Sequence, residues 1–208
     1  MVISAAEQVS PGRIKIATAD GPAFFIRTVY LQCVDPELII PAAEFSGEEE
    51  QDVLDAGLCY AAESKASAYL ARAEQSRFGL SRKLVSKGME KQYIDKALDY
   101  LENARFLSDS RYASAWLNCR KAAHHEGRIR LAAELASRGI DRHTAEDALN
   151  EYFEENPEDG ECRKAVEKCM RRGMDYDKTV HCLIQHGFSP GMTAAVMDTF
   201  TYQEKKSR

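Results

Sequence analysis

The sequence lacks the features that usually identify membrane and secreted proteins. No stretch approaches the run of about 20 apolar residues that a membrane-spanning helix requires. The N-terminus has no basic segment followed by a long apolar run, so we expect no secretory signal. Six cysteines are present, but their spacing is irregular and no CxxC pair occurs. We therefore expect a cytoplasmic protein with reduced thiols and no membrane contact.

The motifs of common catalytic and cofactor sites are also missing. The sequence has no GxxxxGK(S/T) loop, no GxGxxG after a strand, no HExxH and no GxSxG. A zinc site from Cys169, Cys182 and His186 is conceivable, but structural zinc sites usually bring their ligands as close-spaced pairs. Adjacent His124 and His125 would point in different directions on a helix, and we expect them at a solvated helix end. The sequence thus predicts no enzyme, no cofactor and no metal.

Charge is present but unevenly distributed along the 208 residues, whose formal net charge is -5. Residues 1–59 carry 3 basic and 10 acidic side chains, whereas residues 60–142 carry 16 basic and 10 acidic ones. The net charge is therefore -7 at the start, +6 in the middle and -4 over residues 143–208. A basic middle indicates an anionic partner, and the competing interpretation is an ordinary mixed helical surface.

The first part of the chain favours β-structure. The runs 13–17 and 23–27 flank Asp20-Gly21-Pro22, a turn signal that predicts a hairpin. Leu38-Ile39-Ile40 is a candidate third strand. We expect residues 1–10 to be mobile, as chain ends often are.

One phrase recurs three times in the remainder. It reads LVSKGMEKQYIDKAL from Leu84, LASRGIDRHTAEDAL from Leu135 and LIQHGFSPGMTAAVM from Leu183. Each copy has glycine at its fifth place and a large apolar residue at its sixth. Glycine ends a helix in the left-handed conformation at little steric cost, and the apolar residue after it folds back onto the core. Each copy therefore predicts a helix, a glycine stop and a new helix.

The phrase is part of a larger unit. Ala-Ser-Ala-Tyr-Leu at 66–70 and Ala-Ser-Ala-Trp-Leu at 113–117 precede the first and second copies. Four extra residues separate the first two helices of the second unit, which predicts a first helix longer by about one turn. Ser76, Asp175 and Ser189 are predicted N-caps. A period of about 50 residues is typical of tandem helical arrays.

We therefore predict a mainly α-helical fold, with three tandem three-helix repeats in an elongated curved array and a small N-terminal β-hairpin region. The predicted parts are a β-prone extension at 1–56, repeats at 57–106, 107–156 and 157–203, and a tail at 204–208.

Several segments, taken in order, resemble motifs of the RecX family. Residues 76–88, SRFGLSRKLVSKG, resemble S-R-x-E-L-x-x-K-L-x-x-K-G, and residues 107–113, LSDSRYA, resemble L-x-D-x-R-F/Y-A. Residues 126–140 resemble K-G-x-x-R-I-x-x-E-L-x-x-K-G-I, and residues 186–188 resemble R-G-F. The chain departs from these patterns in having Gly79 in place of glutamate, Glu126 in place of lysine and His186 in place of arginine.

The resemblance covers about residues 60–200 and implies a bacterial regulator built of three three-helix repeats. Such proteins bind the RecA recombinase, typically inside the groove of its filament on single-stranded DNA. They restrain its ATP hydrolysis, strand exchange and coprotease activity, and they have no catalytic residues or cofactor. On this basis we expect a monomer that binds RecA, as monomer and filament, and DNA at most weakly. Six basic residues are the predicted partner contacts: Arg77, Arg82, Lys83, Arg111, Arg128 and Arg130.

Two other interpretations stay open at this point. A direct DNA-binding module of the helix-turn-helix kind would use the same basic middle, although the chain as a whole is acidic. A helical-repeat adaptor for another protein is equally compatible with the repeats. Singly, each basic residue has a solvated helix charge as its alternative. Tyr69, Phe78, Tyr112 and Trp116 are predicted to be core residues, because aromatic side chains at helical spacing usually pack inward.

Overall fold

The computed structural model is mainly α-helical with a small antiparallel sheet at its N-terminus, which confirms the predicted fold class. It describes residues 1–19, 21–121 and 124–206, and from residue 201 onward the backbone alone. Asp20 of the predicted turn therefore lies outside the described residues, as do residues 207 and 208 of the predicted tail.

Three strands precede nine α-helices in the described part of the chain. The strands are β1 (Ile3–Ser10), β2 (Arg13–Thr18) and β3 (Phe24–Arg27). The helices are α1 (Glu48–Leu70), α2 (Arg77–Val85), α3 (Lys91–Asn103), α4 (Asp109–Lys121), α5 (Arg128–Ser137), α6 (Arg142–Glu155), α7 (Glu158–Arg171), α8 (Tyr176–Gln185) and α9 (Pro190–Lys206). The chain divides into two compact units, unit 1 at residues 1–108 and unit 2 at residues 109–208.

The sheet has the order β1-β2-β3, and both pairings are antiparallel. The hairpin of β2 and β3 confirms the prediction from the sequence. Residues 1–10 were expected to be mobile, and this is wrong, because β1 pairs along the whole of β2. The start of the chain is also held by the Met1 ammonium group, which donates to the Phe45 carbonyl oxygen at 2.6 Å and to Glu50 at 2.7 Å.

The predicted strand at Leu38-Ile39-Ile40 is wrong as well. A 3-10 turn occupies Pro36–Leu38, and Asp35 caps it by accepting a hydrogen bond from the Glu37 backbone N–H at 2.9 Å. Only Ile39 of the three apolar residues is buried. A capped turn with proline at its first position competes successfully with a short strand that has no partner edge.

Helix α1 connects two cores within unit 1. Its first half packs Val53 and Ala56 with buried residues of the sheet, and its second half packs Ala62 and Ala66 against α2 and α3. The helix therefore runs across the predicted boundary at 56/57, and the predicted domain limits stay predictions.

Unit 2 contains two further cores of three helices each. One gathers Leu117, Leu135 and Leu149 from α4, α5 and α6, and the other gathers Val166, Leu183 and Met197 from α7, α8 and α9. Helix α1 ends at Leu70, whereas α4 continues four residues past the equivalent Leu117 to Lys121. This confirms the predicted extra turn in the first helix of the second repeat.

The three predicted glycine stops are confirmed. Gly88, Gly139 and Gly187 have φ values of +79°, +80° and +87°. After each, the next residue's N–H donates to the carbonyl of the phrase's leucine, as Met89 does to Leu84 at 3.3 Å. Gly173 (φ +71°) ends α7 in the same way and was not predicted.

Candidate protein-interaction site

Helix α2 has a buried face and an exposed face, and both follow from its sequence. Ser76 caps it by accepting a hydrogen bond from the Gly79 N–H at 3.0 Å, as predicted. Leu80 and Leu84 are fully buried, one helical turn apart. Phe78 is 45% exposed and Val85 50% exposed, because they lie on the side of the helix away from those leucines.

Three exposed basic residues lie on α2 or just after it, and we name Arg82, Lys83 and Lys87 the α2 basic cluster. Arg82 lies with its guanidinium carbon 5.7 Å from the centre of the Phe78 ring, and Lys83 has its Nζ 5.3 Å from the centre of the Tyr69 ring. Within the described residues, no carboxylate forms an ion pair with any of the three. The cluster therefore presents uncompensated positive charge next to exposed apolar side chains.

Arg77, the first residue of α2, has a different environment. Its Nη2 lies 2.7 Å from Asp99 Oδ1 on α3, and its Nη1 pairs with Glu102. Burial would lower the pKa of Arg77, but the hydrogen bond to Asp99 and the charge of Glu102 raise it. Arg77 thus ties α2 to α3, and its charge is balanced inside unit 1.

The remaining three predicted contacts lie in unit 2. Arg111 is exposed on α4. Arg128 is half-buried at the start of α5, where its Nη1 donates to Asn150 Oδ1 at 2.8 Å and its guanidinium carbon lies 5.1 Å from the centre of the Phe153 ring. These contacts are with neutral groups, so Arg128 keeps its net positive charge.

Arg130 belongs to a buried ion network around Glu126. Glu126 is only 5% exposed; Arg120 donates to it through Nε and, at 2.9 Å, through Nη2. Arg130 Nε lies 2.8 Å from the same carboxylate, as an ion pair without hydrogen-bond geometry. Burial alone would raise the pKa of Glu126, but the hydrogen bond from Arg120 and the two arginine charges lower it.

The same region joins the second and third repeats through two glycines. The Gly127 N–H donates to the His186 carbonyl at 2.9 Å, and the Ile129 N–H donates to the Gly187 carbonyl at 3.2 Å. A Cβ on Gly127 would lie 2.3 Å from the Gly187 carbonyl oxygen, so only glycine permits this approach. The N–H of Arg128, which lies between Gly127 and Ile129, donates to the Glu158 carboxylate at 2.8 Å. The first three amides at the start of α5 are therefore all bonded to the third repeat.

Two expectations about side-chain burial need correction. Phe78 is exposed, not core, since it shares no face with Leu80 and Leu84; Tyr69, Tyr112 and Trp116 are partly buried against their cores, as expected. His125 does not sit at a merely solvated helix end, because its Nδ1 lies 2.7 Å from Oε2 of the buried Glu161 in α7.

The described residues offer neither a metal site nor a membrane-spanning helix. No group of three or more His, Cys, Asp or Glu side chains in the described residues is placed to hold a metal ion, and the conceivable set of Cys169, Cys182 and His186 is not such a group. None of the described helices is both long and apolar enough to cross a lipid bilayer.

Sequence reasoning missed the acidic residues that organise unit 2, namely Glu126, Glu158 and Glu161. Two signals were present: Glu126 stands where the RecX pattern has lysine, and Gly127 stands where the other two repeats have the capping residues Ser76 and Asp175. A helix start without a capping side chain predicts that its amides find partners elsewhere.

Three-helix groups with separate cores and recurrent glycine stops define a helical-repeat protein with an N-terminal sheet. A family model described as "RecX, second three-helix domain" matches residues 108–149, which correspond to α4, α5 and most of α6. The regulatory protein RecX of Treponema pallidum (strain Nichols) is 36% identical over 134 residues, which are 64% of this chain and 82% of that protein. The chain therefore belongs to the RecX family.

Other similarities agree with this assignment. The regulatory protein RecX of Pseudomonas savastanoi pv. phaseolicola is 40% identical over 82 residues, 39% of this chain and 52% of that protein. A crystal structure of regulatory protein RecX matches with a TM-score of 0.73 at 20% identity, covering 95% of this chain and 98% of that one. RecX from Lactobacillus salivarius matches with a TM-score of 0.61 at 22% identity, covering 70% and 97%. Family membership places the chain among regulatory proteins and not among enzymes.

Proposed function

We propose that the chain binds RecA, both as monomer and as filament on single-stranded DNA, and restrains its recombinase, ATPase and coprotease activities. On this proposal it acts in the bacterial cytoplasm, in DNA repair, recombination and the SOS response. Membership of a family of regulatory proteins supports the general role. The observation that carries the contact surface is the α2 basic cluster, whose charge no carboxylate balances among the described residues.

We assign the main contact to Arg82 and Lys83 together with the exposed Phe78 and Val85. Uncompensated cations beside apolar side chains suit an acidic protein surface that also carries apolar groups, since charge steers the encounter and apolar burial holds the complex. Arg111 and Arg128 are the further contacts in unit 2. We assign Arg77 and Arg130 a structural role and no direct contact with the partner, because each already forms an ion pair with a carboxylate of the same chain.

The test is co-sedimentation with preformed RecA filaments on single-stranded DNA, read beside the rate of ATP hydrolysis by RecA. We expect the wild-type chain to sediment with the filaments and to lower that rate. Arg82→Glu combined with Lys83→Glu should weaken binding by about tenfold or more, because two attractive charges become repulsive. Unchanged affinity in this variant would remove the α2 basic cluster from the contact surface.

A matched control reverses two other exposed cations of unit 1, Lys65 and Arg72, neither of which has an ion-pair partner among the described residues. Lys65→Glu with Arg72→Glu makes the same change in net charge. An equal loss of binding in both double variants would mean that overall charge, and not the α2 surface, governs the affinity.

Direct DNA binding is the alternative that the same experiment must separate. Binding to single-stranded DNA in the absence of RecA, at comparable affinity and falling steeply with added salt, would contradict the RecA proposal and favour a DNA-binding module. Reversal of Arg128 alone tests the unit 2 contact. Reversal of Arg130 does not, because a glutamate there would face the buried Glu126 and disturb the fold.

A further inference from the structure

Unit 1 contains a cleft that is separate from the α2 basic cluster. It has a volume of about 560 Å³ and lies between the sheet, α1 and the segment that follows α3. This volume is within the range of about 300–1,000 Å³ that is typical of ligand pockets. One end of the cleft is lined by Arg13 and Arg27, and the other by Leu70, Leu101 and Phe106.

The two arginines are direct neighbours, since Arg13 on β2 pairs in register with Arg27 on β3. Residues paired in this way share a face of the sheet, where like charges repel each other. The charge of Arg27 is compensated by Glu63. Its Nε donates to one oxygen of that carboxylate at 2.8 Å, and its Nη2 donates to the other. The guanidinium carbon of Arg27 also lies 4.5 Å from the centre of the Tyr100 ring. The hydrogen bond to Glu63 raises the pKa of Arg27, against the opposing effect of burial.

Both oxygens of Glu63 already accept hydrogen bonds from other side chains, and neither forms an ion pair with Arg13. Glu63 is 5% exposed, and besides both bonds from Arg27 it accepts a hydrogen bond from the Tyr30 hydroxyl at 2.9 Å. Arg13 makes one side-chain hydrogen bond, from Nη1 to the Tyr60 hydroxyl at 3.3 Å, and its buried Nε has no hydrogen-bond partner. Within the described residues no carboxylate pairs with Arg13, so the cleft holds one uncompensated guanidinium.

We propose that this cleft binds a peptide segment of a partner protein in which an aromatic or large aliphatic side chain stands next to a carboxylate. The carboxylate would bind Arg13, supplying the anion that the pair of arginines lacks, because guanidinium and carboxylate form strong charge-assisted hydrogen bonds. The apolar side chain would cover Leu70 and the Phe106 ring, while the buried Leu101 forms the floor of that end of the cleft. Phe106 is 62% exposed, and a continuous chain covers such a rim better than a small molecule does.

The test is NMR titration of the isotope-labelled full chain with the peptide acetyl-Gly-Phe-Glu-Gly-amide, observing the amides of Ser64 and Ser67, which line the cleft. Two matched peptides replace Glu with Gln or Phe with Ala. We expect saturable shifts at these amides with the first peptide and binding weaker by about tenfold with each of the others. Equal binding of all three peptides, or no shift with the first, would overturn the proposal.

Variants locate the binding. Arg13→Met should abolish the preference for Glu over Gln, whereas Lys15→Met, an exposed cation on the same strand, should keep it. Ser67→Phe, which places a ring in the cleft, should block the peptide even if Arg13→Met proves unstable. Phenylacetate is the last probe: if it binds as tightly as the peptide, the ligand is a small aromatic acid and the assignment to a peptide is wrong.

Discussion

Helices α2 and α5 occupy the same place in successive repeats, yet different parts of the chain stabilise their first turns. Helix α2 is capped locally by Ser76, one residue before it begins. Helix α5 starts after Gly127 and has no side-chain cap; its first amides bond to Glu158, His186 and Gly187 of the third repeat. A local cap leaves the surface of α2 free, whereas a distant cap uses the start of α5 to join two repeats.

The largest expected effect comes from giving α5 the cap that α2 has. Gly127→Ser supplies a capping hydroxyl, but its Cβ would meet the Gly187 carbonyl, so we expect unit 2 to lose about 3 kcal/mol of unfolding free energy. Urea unfolding followed by the fluorescence of Trp116, the single tryptophan of the chain, measures this.

The reverse exchange in α2 is the control for that variant. Ser76→Gly removes a local cap and should cost only about 0.5 kcal/mol, read from hydrogen exchange of the α2 amides. A stabilised Gly127→Ser protein would show that α5 does not depend on the third repeat.

The second effect concerns the buried carboxylate beside this junction. Glu126→Gln leaves Arg120 and Arg130 without their common anion, and we expect a loss of about 2 kcal/mol in the same fluorescence assay. Glu134→Gln is the control, because it breaks the partly exposed pair of Glu134 with Arg138 and leaves the hydrogen bonds of Arg120 to Glu126 in place, and it should cost about 0.5 kcal/mol or less. Equal losses would mean that burial of Glu126 contributes nothing.

The third effect tests the feature that the two repeats share, the glycine stop. Gly139→Val forces a β-branched residue into a left-handed conformation, and we expect a cost of about 1–2 kcal/mol in unit 2. Gly160→Ala in α7 is the matched control, since its φ is not positive and its Cβ would meet open space. Alanine there should leave stability unchanged or raise it. A Gly139→Val variant as stable as wild type would refute the role of the left-handed stop.

The smallest effect is a dependence of the stability of unit 2 on pH. Burial alone would raise the pKa of Glu126 and of Glu161. The hydrogen bond from Arg120 lowers the pKa of Glu126, and the hydrogen bonds from Lys164 and His125 lower the pKa of Glu161. A carboxyl whose pKa is lower in the folded chain than in the unfolded chain, where it is about 4.3, stabilises the folded state at pH values above about 4.3. This contribution to the free energy of unfolding is lost as the pH falls through the folded-state pKa. Trp116 should therefore report easier urea unfolding as the pH is lowered from 5 to 3. The Glu126→Gln variant should show a weaker pH dependence than the wild-type chain.

The sequence by itself determined the class of the fold and the positions of several helix ends and of one hairpin. Glycine stops at three equivalent places, the caps Ser76 and Asp175 and the hairpin all follow from local rules, because glycine and capping side chains act on residues within one turn of themselves. The longer α4 was predictable for the same reason, since four residues add one turn of helix. Arg82 and Lys83 of the proposed contact surface were predicted from the sequence, and their role as contacts stays a prediction.

Only the tertiary structure decided which basic side chains form ion pairs with carboxylates from other helices of the same chain. Arg77 and Arg82 are both basic residues of α2, but Asp99 and Glu102 of α3 pair with Arg77. The cap of α5 by the third repeat likewise depends on Glu158, His186 and Gly187, which are 30 residues or more away in the chain. Local patterns carry no information about such pairings, because the distances that set their energies exist only once the chain has folded.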